Sequence, residues 1–351
     1  MNTPRCKRLF AAAALAVGIG AAPALAEIKV AATIKPVHSL VAAVMGDVGE
    51  PALLLDGPAS PHVTALRPSQ AQIIEDSDVV FAVGEGLEAF LQRLIESDDG
   101  TRIIELAEAP GVELLDFREN DHAGGHDGHA HEGDDHAHGG DGHAHEGGDH
   151  AHAQGDEHAH DSEDHAADDH AHGHDHEHVG VDPHIWLDPE NGKAMARHIA
   201  TVLSAADPAN AQTYKDNAHA MAGKLDALAS GLAARLDPVK DRPFLVFHDA
   251  YQYLESRYDL NGLGAIVLNP ETTPGARRIQ EIRQRIDEAG VACVFSEPQF
   301  EIGYVRTVLE GSGARTASLD PLGVTIEPGP DAYSQVLTDL TDALADCLAA
   351  N

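Results

Sequence analysis

Basic side chains are scarce in this sequence. In 351 residues, 23 lysines and arginines face 58 aspartates and glutamates, for a formal net charge of −35. A chain so acidic repels nucleic acid and anionic membrane surfaces and attracts cations. Cysteine is scarcer still, at three, and tryptophan occurs once, at Trp186. Past the first 26 residues no apolar run approaches the ~20 residues needed to span a bilayer, so no membrane insertion is expected. No HExxH pair stands beside any histidine, which argues against a zinc hydrolase of that kind. Gly84-Glu85-Gly86 lacks the rest of a phosphate-binding loop and reads as a strand-to-helix turn.

What is present begins with a leader. Arg5, Lys7 and Arg8 precede an apolar run at 10–22, and Ala24-Leu25-Ala26 forms a small-x-small cleavage site. Residues 1–26 are expected to be a cleaved signal peptide, with the mature chain starting at Glu27 in the periplasm. Cys6 leaves with the leader and has no lipobox-like context. Two cysteines remain in an oxidising compartment, so Cys293 and Cys347 are expected to form a disulfide. Closing a loop of that span stabilises by ~4 kcal/mol in the chain-entropy model.

The 43% apolar content permits cores of ordinary size, and the length suits about two domains of ~100–200 residues. Apolar runs at 28–34, 51–55, 79–84 and 102–106 read as strands. Helical patterns intervene after Pro36, from Ser69 as a cap, and over about 87–97. A helix over about 191–204 follows, and then the most periodic stretch of the chain, 209–236. There Tyr214, Ala218, Met221, Leu225, Leu228, Leu232 and Leu236 recur every three or four residues. Strand and helix alternate again from 243 to the C-terminus. The predicted fold is α/β: two similar lobes with mostly parallel sheets, 27–208 and 237–351, joined by one long rigid helix at 209–236.

A tract at 119–178 interrupts the first lobe. It holds 18 of the chain's 24 histidines and 18 acidic residues, with no base. DGHAHEG at 127–133 recurs at 141–147, and H-A-H units repeat throughout. With so little to bury, the tract is expected to be disordered without metal. His129, His131, His136, His138, His143, His145, His150, His152, His158, His160, His170, His172, His174, His176 and His178 are its candidate low-affinity metal ligands.

Three other histidines lie in loops beyond predicted strand ends, where α/β scaffolds hold ligands. His62 follows the second strand. His184 is delivered by VDPHIWLDP (181–189), in which Pro183 stiffens the approach and Ile185 and Trp186 anchor it. His248 ends the strand PFLVF. Two come from one lobe and one from the other, so a shared ion would sit between lobes. His38, His198 and His219 read as structural or surface residues.

SPHVTALRPS (60–69), DPHIWLDP (182–189), VFHDAYQYL (246–254), CVFSEPQF (293–300) and SLDPLG (318–323) occur in that order. The chain thereby resembles the metal-binding substrate-binding proteins of ABC importers (cluster A-I), and within them the zinc-specific branch. The resemblance implies that His62, His184 and His248 are the primary ligands of transported Zn²⁺, with Asp320 or a water as the fourth. It implies a non-catalytic, monomeric carrier that delivers zinc to a permease and its ATPase, with a periplasmic zinc chaperone as a further partner. Pro61 stands where some zinc-binding relatives have a glutamate. Manganese- and iron-binding relatives tend to carry a carboxylate where this chain has His248, and imidazole suits zinc better than those metals. A manganese or iron carrier, a zinc hydrolase, and an adhesin or zinc buffer without a permease are the alternatives.

Overall fold

The computed structural model describes residues 28–62, 65–84, 86–91, 102–118, 180–267, 275–300 and 303–350. The expected leader and the whole histidine tract at 119–178 lie outside them. The chain divides into two compact units, Met1–Leu115 with Val181–Asn351, and Asp116–Gly180. In the second, the Phe117 amide donates to the Gly180 carbonyl at 3.0 Å.

The first unit is α/β and contains two four-stranded sheets, all of whose strand pairs are parallel. The first runs in the order β2-β1-β3-β4, from β1 (Val30–Ala32), β2 (Ala52–Leu53), β3 (Val79–Ala82) and β4 (Arg102–Glu105). The second runs β6-β5-β7-β8, from β5 (Phe244–His248), β6 (Gly262–Val267), β7 (Cys293–Ser296) and β8 (Arg315–Ser318). Every residue of β1, β3, β5 and β7 is buried. Such uninterrupted burial is what parallel sheets covered on both faces require, and it explains why these strands read as continuous apolar runs.

Helices α1 (Lys35–Met45) and α2 (Pro68–Glu75) belong to the first sheet. Helices α5 (Gln252–Tyr258), α6 (Ala276–Ala289), α7 (Gly303–Leu309) and α8 (Ala332–Ala349) belong to the second. Between the sheets run α3 (Pro189–Ala206) and α4 (Ala211–Leu236). At 1.5 Å per residue, the 26 residues of α4 extend ~39 Å. Its buried face is Tyr214, Ala218, Met221, Leu225, Leu232 and Leu236. This face joins one continuous core with α1, α3, α8 and residues of both sheets. A smaller cluster, including Leu245, Phe247, Ile282 and Val294, packs beneath α6 and α7. Gly46 ends α1 at φ +55°, where a Cβ would collide with Asn217 of α4.

Local signals misplaced some boundaries. Helix α2 begins at Pro68 with Arg67 as its N-cap, so Ser69 lies inside the first turn and does not cap it. The cap amide of Arg67 is instead accepted by Gln70 Oε1 at 2.8 Å. Only Ala52–Leu53 of the predicted 51–55 strand pairs regularly, although the Leu54 and Leu55 amides still donate to Ala32 and Thr33 carbonyls. Of the helix expected over 87–97, the described part is a single 3-10 turn, Ala89–Leu91.

Four polar anchors fix the region around the site. Lys35 at the start of α1 is buried, and its ammonium donates to the carbonyls of Gly323 and Ile326 at 2.6 Å and of Val324 at 3.2 Å. Trp186 Nε1 donates to the Pro321 carbonyl at 2.8 Å. The Tyr333 hydroxyl of α8 donates to the Trp186 carbonyl at 2.7 Å, over Gly192, where a Cβ would strike the phenol ring. The Tyr253 hydroxyl of α5 donates to the Asp182 carbonyl at 2.8 Å. Cys293 of β7 and Cys347 of α8 are joined by a disulfide.

Candidate metal centre

His184 sits where the stiff segment meets α3. Asp182 folds back across Pro183, and its Oδ1 accepts from the His184 amide at 3.0 Å and lies 2.7 Å from His184 Nδ1. One carboxylate oxygen therefore fixes both the backbone and the ring, leaving Nε2 as the nitrogen with a free lone pair. Below it, Ile185, Trp186 and Leu187 are buried in a 3-10 turn. Asp188 then caps α3 by accepting from the Glu190 amide at 2.8 Å. The apolar pair thus anchors the segment, and the histidine is carried at the rim of the core.

His248 is the last residue of β5 and pairs with Val267 of β6. It is buried, as is Glu297, which follows β7 and places Oε1 3.4 Å from His248 Nδ1. His62 lies in the loop between β2 and α2, its amide donating to Ser60 Oγ at 3.3 Å. It is the most accessible of the three, half-buried against the other two.

The three rings converge. Centroid separations are 5.5 Å for His62–His184, 5.2 Å for His62–His248 and 4.8 Å for His184–His248. One ligand-capable nitrogen from each lies within 4.8 Å of the others. Nitrogens on a tetrahedral zinc, each at ~2.0–2.1 Å, stand roughly 3.4 Å apart, so closing on an ion needs shifts of only ~1 Å. Ser60, Pro61, Trp186, Phe300 and Leu322 complete the walls of the small cavity.

Electrostatics hold the group ready for a cation. Burial, with the other two rings nearby, pushes the His62 pKa down to about 2. Burial, and then His248, lowers His184 well below the ordinary imidazole range. Both rings stay neutral at ordinary pH, and a neutral imidazole is the form that ligates.

The other expected site residues fall elsewhere. Asp320 is outside the three-histidine group. Its Oδ1 accepts from Gln299 Nε2 at 3.0 Å and from the Leu322 amide at 3.2 Å, and its Oδ2 from the Val324 amide at 2.6 Å. Those bonds hold the turn that also meets Lys35 and Trp186. The fifteen tract histidines lie outside the described residues. His38 is buried, with Nε2 2.9 Å from the Pro51 carbonyl, and takes no part in the cluster. Reading by residue passed over Glu297, although it lies within the CVFSEPQF motif. Its carboxylate faces a histidine 49 positions away, which no local pattern reveals.

The profile of the ZnuA family, described as zinc-uptake complex component A, periplasmic, matches residues 30–347. The chain belongs to the ZnuA family. The high-affinity zinc uptake system protein ZnuA of Brucella suis biovar 1 is 48% identical over 343 residues, covering 97% of this chain and 98% of the relative. That of Paracoccus denitrificans is 40% identical over 341 residues, covering 96% and 97%. Among solved structures, the solute-binding protein FpvC of Pseudomonas aeruginosa, in complex with Mn²⁺, superposes with a TM-score of 0.68. It is 22% identical and covers 92% of this chain and 99% of its own, a likeness of fold. Among the described residues no helix is long and apolar enough to cross a membrane.

Proposed function

We propose that the protein captures Zn²⁺ in the periplasm and delivers it to an ABC permease and its ATPase. The observation that carries this reading is the convergence of His62, His184 and His248, from two loops and the end of β5, with one nitrogen each within 4.8 Å. Three imidazoles suit zinc, whereas manganese and iron favour harder oxygen donors. Family membership and the names of the close relatives support zinc as cargo. Asp320, with three hydrogen bonds already accepted, is disfavoured as fourth ligand, which leaves that position to water.

The action is binding without catalysis. Zinc enters between the two sheets, displaces water and draws the three nitrogens together. The permease then separates the loops that carry them. The protein works as a monomer, reaches the periplasm through cleavage of its leader after Ala26, and accepts ions from a periplasmic zinc chaperone or from its own tract. The tract raises local zinc concentration with many weak, overlapping ligand sets. A flexible segment must lose chain entropy to wrap an ion, so its sites are weaker than the cleft.

The test is zinc-dependent thermal stability. A ligand that binds only the folded state stabilises it by ~4 kcal/mol at a thousandfold excess over Kd. Zinc is expected to raise the Tm of the parent protein strongly and that of His248→Ala far less. Equal shifts would remove His248 from the site. Deleting residues 122–178 should leave one tight calorimetric event and abolish the weak ones; loss of the tight event would make the tract a primary ligand source.

A further inference from the structure

Among the described residues, Nδ1 of His248 and Oε1 of Glu297 are buried on the wall of the cleft without a hydrogen-bond partner, as are the Tyr251 hydroxyl and Gln299 Oε1 near them. Buried groups of this kind are nearly always satisfied, so each exception calls for a reason. The first two atoms face each other at 3.4 Å, just beyond hydrogen-bonding range. Across the cleft the corresponding pair is already closed, with Asp182 Oδ1 2.7 Å from His184 Nδ1. A shift of well under 1 Å would close the second pair in the same way. The Tyr251 hydroxyl faces Glu297 too, and burial, with the Glu297 charge, keeps its proton in place. It remains a donor and does not compete for the imidazole proton.

An imidazole that ligates through Nε2 must carry its proton on Nδ1, and a carboxylate behind the ring fixes that tautomer and raises the basicity of the ligating nitrogen. We propose that Glu297 is the positioning residue for His248. It accepts the Nδ1 hydrogen bond as the ring closes on the ion, and so aims the Nε2 lone pair at the cation. Asp182 does the same for His184 from the opposite wall. Both carboxylates then stand just behind the imidazole ligands without placing an oxygen donor on the ion. The inference rests on the three-histidine reading of the site.

The experiment uses the full-length protein, Glu297→Gln, Glu297→Ala and His248→Ala. Zn²⁺ affinity is measured by competition with a chromogenic chelator, the donor set by the ligand-field spectrum of Co²⁺-loaded protein, and the His248 tautomer by imidazole ¹⁵N shifts. Removing such an orienting partner typically weakens metal binding about 10- to 100-fold. About tenfold is expected for Glu297→Gln and up to about a hundredfold for Glu297→Ala. The Co²⁺ bands should stay in place, and His248 should lose its Nδ1–H preference in Glu297→Ala. Affinities within threefold of the parent in both variants would overturn the proposal, and if Glu297→Ala does not fold, Glu297→Gln decides by the same limit. A Co²⁺ spectrum showing a lost oxygen donor would overturn it too, by making Glu297 a direct ligand. Parent-like affinity in His248→Ala would instead bring down the three-histidine site itself.

Discussion

The two sheets share one strand order, second-first-third-fourth, yet equivalent places in them do different work. Just past the first strand, the N-terminal sheet presents Lys35, whose ammonium is consumed by three carbonyls. The C-terminal sheet ends its first strand at His248, whose buried ring lies in the three-histidine group with Glu297 Oε1 3.4 Å from its Nδ1. Beyond the third strand each sheet buries a glutamate. Glu88 accepts from Thr33 Oγ1 at 2.5 Å, from the Val83 amide at 3.2 Å and from the Gly84 amide at 2.9 Å. Glu297 keeps one oxygen without a hydrogen-bond partner, facing His248. A buried glutamate beyond the third strand thus has its polar contacts met internally in the first sheet, and faces a histidine of the cluster in the second. Burial alone does not tell the two apart; the inventory of partners does.

The disulfide offers the largest perturbation that should leave this distinction intact. It ties β7, the strand leading to Glu297, to α8, whose Tyr333 supports Trp186. For a sequence separation of 54 the chain-entropy model gives about 4 kcal/mol. The Cys293→Ser, Cys347→Ser double variant should lose about that much in urea unfolding, and hydrogen exchange should quicken most in β7 and α8. Zinc affinity should stay near that of the parent, because neither sulfur touches the cluster. A large loss of affinity at unchanged stability would mean that the staple holds the ligands themselves. Thiol titration of the unfolded, unreduced protein should find no free thiol.

Lys35→Met tests the clamp side of the comparison directly. A hydrogen bond from a charged donor is worth about 1.5–3 kcal/mol net, and the variant leaves three carbonyls to find new partners. The expected cost is about 3 kcal/mol of folding stability by denaturant titration. Zinc binding should weaken only modestly, through loosening of the turn at 320–326. If Lys35→Met lowered affinity as much as His248→Ala, clamp and ligand would not be separable roles.

How much of this was legible in the sequence depends on the distance over which each role is set. His184 was readable because Asp182, Pro183 and the apolar Ile185-Trp186 pair are its immediate neighbours. His248 stood out at the end of a continuous apolar strand. The long helix announced itself by periodicity from Tyr214 to Leu236. The failures are non-local or stereochemical. Lys35 meets its acceptors 288 to 291 residues away, and Thr33 meets Glu88 at a separation of 55. Neither pairing leaves a trace in local pattern. Ser69 looked like a cap by residue type, but Pro68 is better suited to the first helical position, so the boundary moved by one residue. The partners of Asp320, Gln299 and two amides, are likewise brought near only by the folded turn.

The sharpest contrast with Glu297 comes from Glu88→Gln. Burial raises the Glu88 pKa to about 7, against the pull of its three donors. The folded state therefore holds a proton that the unfolded chain, titrating near 4.5, has already released. Between those two values the native state binds more protons, so stability should fall as pH rises from about 4.5 to about 7 and level off above. A difference from 4.5 to about 7 corresponds to roughly 3–3.5 kcal/mol at about 1.36 kcal/mol per pH unit. Glu88→Gln removes the titration while keeping an acceptor oxygen for Thr33 and the two amides. Denaturant unfolding across pH 4.5 to 8 should show this segment of the parent's slope flattened in the variant. Zinc affinity should remain within about twofold, because Glu88 faces its own strand and loop and touches none of the three histidines. If Glu88→Gln weakened zinc binding as Glu297→Gln is expected to, the partner inventory would fail as a way of telling clamp from site, and the two sheets would be coupled more tightly than their contacts imply.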